Sequence, residues 1–345
     1  MPGKSEGVAV SFSGNTMQPK ISVIIPAFNA EKFIAEAIKS VLAQKYNQRL
    51  EIIVIDDGST DNTGDVVSEI SAEHPQIVLV SNERKKGPSG SRNTGLLKAK
   101  GDYISFLDAD DVWLENHLQE GVEFLEKHQW IDIVYFNFEI YEYESKRRIG
   151  DGFSQKQFTS RLKVSQLGGG YFQICDDMFA ALVDDSFMHL QALIIRKKTI
   201  GTLLFDENIK RSEDRDFCIR LYSRANACFA YKNIITGIYY LHNNSLTSNS
   251  IQNTISTLSD HIYLFSESLA RVKPDSLLAL KLRKMLSERY IGLSYNYRQL
   301  NHHILAMKFF LKSIVYKRSK VQLKEVAKIL GSFVLYHTFD RARRK

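Results

Sequence analysis

From Lys20 onward, short apolar runs alternate with stretches whose apolar positions recur at helical spacing. Ile21–Ala27 and residues 51–55, 77–80 and 103–107 have the length and β-branched character of buried strands. Between the first two, Phe33, Ile34, Ala37, Ile38, Val41 and Leu42 fall at i, i+1, i+4, i+5, i+8 and i+9, a continuous stripe on one helix face. Strand then helix, four times over, predicts a parallel sheet with right-handed crossovers. The pattern further predicts a helix from near Trp113 to Leu125, a strand over 131–141, a solvated turn over the charged run 142–148, and mobility at Gly168-Gly169-Gly170. From about residue 252 it is wholly helical. In residues 304–316 and 323–335 the apolar residues keep helical spacing, while Lys308/Lys312 and Lys324/Lys328 line the opposite faces at i, i+4. Residues 1–19 are rich in Gly and Ser and read as a mobile leader or a non-native start.

Open α/β sheets bind ligands beyond the carboxyl ends of their strands, so the residues at those ends carry the chemistry. After the first strand comes Pro26-Ala27-Phe28-Asn29-Ala30-Glu31, where Asn29 is suited to cap the next helix. After the second comes Asp56-Asp57-Gly58-Ser59-Thr60-Asp61. Turn formation and capping by Thr60 or Asp61 explain part of it, but a carboxylate at that tip can also accept from the N3–H of a uracil. The third strand leads into Lys85-Lys86-Gly87-Pro88-Ser89-Gly90-Ser91-Arg92. Glycines admit close backbone approach, and an arginine at a helix N-terminus suits phosphate. The fourth strand ends in Asp108-Ala109-Asp110-Asp111. Asp108 and Asp110, two apart on an extended chain, share a face. One acid would suffice to cap a following helix, whereas three packed together repel one another unless a cation neutralises them. Oxygen ligation without Cys or His alongside points to Mg²⁺ or Mn²⁺.

Charge adds a division between the two ends of the chain. The net charge of +7 over 345 residues conceals 18 Lys/Arg against four acids in residues 271–345, a net of +14, with −7 before them. An acidic globular part joined to a basic helical segment points to an anionic partner such as a membrane surface. No window reaches the ~18 uninterrupted apolar residues of a membrane span, and no secretory signal is evident. Cys175, Cys218 and Cys228 lack zinc or disulfide spacing, which fits core residues of a cytoplasmic protein.

Six ordered segments resemble the family 2 glycosyltransferases of GT-A fold, collinear over residues 20–245: I-S-V-I-I-P-A-F-N-A-E-K-F, I-I-V-I-D-D-G-S-T-D-N-T, G-P-S-G-S-R-N-T-G, Y-I-S-F-L-D-A-D-D, S-E-D-R-D-F-C-I-R-L and Y-Y-L-H-N-N-S-L. The resemblance implies an α/β fold with a Rossmann-like mixed sheet flanked by helices, divided into a leader (1–19), a catalytic domain (20–250) and a basic helical C-terminal appendage (251–345). It implies nucleotide-sugar binding by Pro26, Phe28, Glu31, Asp57, Arg92 and Asp108, with Asp110 on the metal. Asp214, beside Glu213, takes the position of the catalytic base. His242, in an H-x-x-S element found in part of the family, is implied near metal and diphosphate.

The expected reaction is inverting transfer from a UDP-sugar to a glycan or polyprenyl-diphosphate-linked acceptor in bacterial surface polysaccharide synthesis. Contact with the inner face of the plasma membrane through residues 300–345 and self-association are further expectations, and nucleic acid is not an expected partner. Two alternatives stand beside this reading. A nucleotidyltransferase would want a Gly-rich basic loop after the first strand, and residues 26–31 have none. A non-enzymatic assembly or nucleic-acid-binding protein is favoured only by the basic tail, which lacks the aromatics interleaved with basics on a sheet that such binding uses.

Overall fold

Ile21, Val23, Ile24 and Ile25 are fully buried, as a strand covered on both faces requires. They belong to β1 (Ile21–Ala27) in a computed structural model that describes residues 20–46, 48–156, 162–185, 187–242 and 250–316. β1 pairs in parallel with β2 (Leu50–Asp56), and β2 with β3 (Ile77–Ser81). On its other side β1 pairs in parallel with β4 (Tyr103–Phe106). The crossovers are α1 (Ile34–Leu42), α2 (Thr63–Glu73) and α3 (Pro88–Lys98). In the order β3-β2-β1-β4 the chain leaves β1 in one direction and returns on the other side, so a crevice opens at the carboxyl ends of β1, β2 and β4.

The sheet continues through β5 (Val112–Trp113), α4 (His117–Lys127), β6 (Ile133–Glu142), β7 (Arg147–Asp151), α5 (Gly152–Lys156), β8 (Val164–Gly168), β9 (Tyr171–Ile174), α6 (Met178–Asp184), β10 (Leu193–Arg196), α7 (Lys197–Ile200), α8 (Glu213–Ala225) and β11 (Phe229–Leu241). Its order is β3-β2-β1-β4-β10-β6-β11-β9-β8; β10 runs antiparallel between β4 and β6, and β11 is parallel to β6. This is the mixed α/β sheet that the sequence implied. One face packs on α1 and α4, the other on α3, α6 and α8. Three helices follow: α9 (Ile251–Arg271), α10 (Leu277–Gln299) and α11 (His303–Tyr316). Leu264 and Phe265 of α9 and Leu282 and Leu286 of α10 lie in the same apolar cluster as Phe217 and Leu221 of α8. No described helix is long and apolar enough to cross a membrane.

Several local expectations are corrected. Trp113 does not open a helix: Val112 and Trp113 pair with Ile238 and Gly237 of β11, and α4 begins four residues later. Asn29 caps no helix; in left-handed backbone (φ 49°), its Oδ1 accepts from the Thr60 N–H at 2.8 Å. The Gly/Ser stretch is largely α3 itself, so Arg92 lies inside the helix, not at its N-terminus. The three glycines 168–170 take positive φ at the β8–β9 turn. Cys218 is buried, but Cys175 is exposed. The leader 1–19, Ser245 and the stretch 323–335 lie outside the described residues.

Candidate active site

Two strand-end loops interlock to form one wall of the crevice. The Asn29 N–H donates to Ser59 Oγ, the Ala30 N–H to Thr63 Oγ1 at 2.8 Å, and the Glu31 N–H to Asp61 Oδ2. In return Glu31 Oε2 accepts from the Asn62 N–H and from its Nδ2. Glu31 thus stitches the two loops together. Pro26 is the penultimate residue of β1, and the Phe28 ring stands 48% exposed at the rim with Lys86 Nζ 4.0 Å above it. Asp57 is buried below: its Oδ1 accepts from Asn82 Nδ2 at 2.5 Å and its Oδ2 from the Gly87 N–H at 2.8 Å. Each of those oxygens keeps a further lone pair.

The floor depends on close approach of α3. A Cβ on Gly95 would lie 2.4 Å from Ile24 Cγ2, and one on Gly90 would lie 1.9 Å from the Lys85 carbonyl oxygen. Any side chain at either position would push α3 away from β1 and its own loop. This seating brings Arg92, 6% exposed, under the cleft. Its Nη2 donates to Asp108 Oδ1 at 2.7 Å and its Nη1 to Glu213 Oε1 at 2.9 Å. Burial opposes the guanidinium charge, and the two carboxylates more than offset it. Arg92, 16 residues before Asp108 and 121 before Glu213, therefore joins the β4 tip to the start of α8. With both outer nitrogens engaged, it holds carboxylates together where the resemblance implied a place near ribose and diphosphate.

The acids after β4 divide into two kinds. Asp108 and Asp110 side chains are 40% and 42% exposed toward the cleft. Asp111 is buried, its Oδ1 accepting from the Tyr240 N–H at 2.9 Å, so it anchors β11 and caps no helix. Burial first, then Asp110 and Asp108, push its carboxyl far above the ordinary range, against that N–H. Asp110 is pushed up to about 6, by burial and then by Asp108. His242, between the rings of Phe33 and Tyr143, places Nε2 3.4 Å from Asp110 Oδ2. That nitrogen is buried without a hydrogen bond, and burial holds the imidazole toward its neutral form. Asp110 and the neutral imidazole of His242, 3.4 Å apart, are donors of the kind a divalent cation takes. Among the described residues no three such side chains converge as a ready-made cage.

Across the cleft, Ser212 precedes α8 and Glu213 and Asp214 form its first turn. Burial pushes Glu213 up to about 7; Arg92 pulls it down and Asp214 pushes it up again. Asp214 is raised chiefly by burial and also by the Asp108 charge, while the Arg215 N–H at 2.6 Å, Arg92 and Arg215 lower it. Asp214 thus shares a field with the β4 acids. Asp216 and Arg220, four apart on α8, pair at 2.7 Å in a mostly buried setting.

Sequence reasoning missed the supports of this site. Asn82 links Asp57 to Thr94, and Asn93 ties α3 to both backbone groups of Phe205 and to Glu207. Asp260 of α9 accepts from the Lys210 and Arg211 N–H groups just before α8. Asn82 stands at a strand end and was open to suspicion on that ground; Asp260 carries no sequence signal.

A parallel half-sheet ending in paired acids, with a second acidic pair joined to them through Arg92, is an architecture shared with the GT-A transferases. Residues 22–186 match the model of glycosyl transferase family 2. Those residues form a glycosyl transferase family 2 domain. The chain is 43% identical over 120 residues, 35% of its length, to the Escherichia coli UDP-Glc:alpha-D-GlcNAc-diphosphoundecaprenol beta-1,3-glucosyltransferase WfgD, and that match spans 46% of the relative. Staphylococcus aureus TarS 1–349 in complex with UDP-GlcNAc superposes with a TM-score of 0.58 at 18% identity, over 91% of this chain and 89% of that one. A Pyrobaculum calidifontis mannosyltransferase in complex with GDP-Man and Mn²⁺ gives 0.54 at 17% identity, over 95% and 84%. At these identities the two structures speak for the fold.

Proposed function

We propose that this glycosyltransferase moves a sugar, with inversion, from a UDP-sugar to a hydroxyl of a glycan or polyprenyl-diphosphate-linked acceptor in bacterial surface polysaccharide synthesis. The observation that carries the proposal is the Arg92 bridge, which holds the Asp108–Asp110 tip and the Glu213–Asp214 pair on one guanidinium. Pro26, Phe28 and Glu31 shape the nucleotide wall, Asp57 accepts from the uracil N3–H, and Asp108 meets the ribose. The Asp214 carboxylate takes the proton of the acceptor hydroxyl as its oxygen bonds the anomeric carbon and the diphosphate leaves from the opposite face. Burial raises Asp214, which makes it a stronger base once ionised. Asp110 and His242 would hold Mn²⁺ or Mg²⁺, which neutralises charge on the departing diphosphate. The UDP-Glc and lipid-linked acceptor named for the E. coli relative, and the Mn²⁺ complex of the mannosyltransferase, support this choice. A place on the cytoplasmic face of the membrane follows from such an acceptor.

UDP release from a panel of UDP-sugars, with and without Mn²⁺, tests the proposal. Turnover is expected with Mn²⁺, at least about 100-fold lower in Asp214→Asn, as loss of a general base predicts. Asp110→Asn should need far more Mn²⁺. Full turnover in Asp214→Asn would remove the assigned base, and pyrophosphate release from UTP with a sugar 1-phosphate would favour a nucleotidyltransferase.

A further inference from the structure

Helix α11 presents an outer face unlike the rest of the surface. Its inner side is conventional: Ala306, Phe310 and Ser313 are buried against α10, and Phe309 stacks on Tyr290 and Tyr297. On the outer side Ile304 is 82% exposed, Leu311 56% and Val315 81%. These positions, with Lys308, fall at i, i+4, i+7 and i+11, within an arc of about 60° at 100° per residue. Lys312 and Leu305, the latter 38% exposed, lie together along one side of the arc. Aliphatic residues scattered singly over a surface are ordinary; three such exposures aligned on one helical stripe mark a contact.

The charge on this face selects the partner. The helix His303–Tyr316 carries two lysines and no acid, in a C-terminal stretch whose net charge is +14 from residue 271 onward. Among the described residues neither Lys308 nor Lys312 has a carboxylate partner, although Lys312 lies 5.7 Å above the Tyr290 ring. Aliphatic side chains interleaved with free lysines suit the boundary of an anionic bilayer: the aliphatics enter the acyl edge and the ammonium groups meet phosphate. We infer that the Ile304–Lys308–Leu311–Val315 stripe of α11 docks the enzyme on anionic lipid. This deepens the reading that the acceptor is lipid-linked, since it names the surface that would bring the cleft to the bilayer.

Vesicle flotation of the full chain tests it, with phosphatidylcholine alone and with phosphatidylglycerol added. The wild type should float with the anionic vesicles and be released by salt. Lys308→Gln/Lys312→Gln should partition roughly 30-fold less at low salt, at about fivefold for each lysine, and Ile304→Glu/Val315→Glu should remain in the soluble fraction. Because these side chains are exposed, the variants should keep wild-type circular dichroism and wild-type UDP release with a water-soluble acceptor, which separates this inference from the assigned chemistry. Wild-type protein that stays soluble, or variants that float unchanged, would overturn it. A change of oligomeric state in Ile304→Glu/Val315→Glu without any vesicle binding by the wild type would also overturn it, and would assign the face to a second copy of the chain.

Discussion

Arg92 is almost wholly buried and has two carboxylates to satisfy, so its removal should be felt in more than one property. Arg92→Met leaves Glu213 buried without a counter-charge, and breaking such a pair costs roughly 3–5 kcal/mol. Adding Glu213→Gln removes that unpaired charge and should recover part of the stability while turnover stays lost. Urea unfolding beside UDP release would show the split; equal recovery of both would mean that Arg92 only packs. The raised carboxyls also give a pH signature. Asp214 must be ionised to accept a proton, and burial raises it, so turnover should rise with pH on an acidic limb displaced upward from that of an ordinary carboxylate. Stability should run the other way. A carboxyl whose folded pKa is raised from 4.5 to about 7 favours the fold below the unfolded value, and that contribution disappears as pH climbs through about 7. The stability of wild type relative to Glu213→Gln, followed from pH 4.5 to 8, should therefore decline. A flat difference would show that the Arg92 charge cancels the effect of burial.

Elements built from local periodicity were legible in the sequence, and those completed by distant pairing were not. The four parallel strands and the α1 stripe could be read because a two-sided buried strand and an amphipathic helix write their environment into consecutive residues. Trp113 defeated the same reasoning because its partner Gly237 lies on β11, and nothing local distinguishes a two-residue strand from a helix start. The strand-end acids could be found by position, whereas Asp111 separates from Asp108 and Asp110 only once β11 supplies the Tyr240 N–H. Likewise the base pair of acids was visible and its support was not. Asp260 holds the Lys210 and Arg211 N–H groups at 3.0 and 2.8 Å through a single oxygen, Oδ2. An amide oxygen can accept both bonds, so Asp260→Asn should keep near-wild-type turnover. Asp260→Ala should lose about 1–3 kcal/mol and lower kcat more than KM, because it frees the segment entering α8. Equal loss in both variants would show that the charge, not the positioning, is what counts.

Across the whole molecule the acidic and basic parts are not separate bodies. Phe265 of α9 lies 5.2 Å below the guanidinium of Arg215, the residue after the proposed base. Arg215 also donates to the Leu182 and Val183 carbonyls of α6, and Lys281 of α10 pairs with Asp184 at the end of that helix. The boundary near residue 250 that the change to a wholly helical pattern suggests is therefore not a mechanical seam: apolar packing runs through it into the helix that presents Glu213 and Asp214. For enzyme engineering this alters what a tail exchange means. Grafting the final helices of another relative onto this chain would replace part of the mould in which the reacting carboxylates are cast, so a hybrid meant to alter destination would also alter turnover unless Phe265 and Asp260 travelled with their partners.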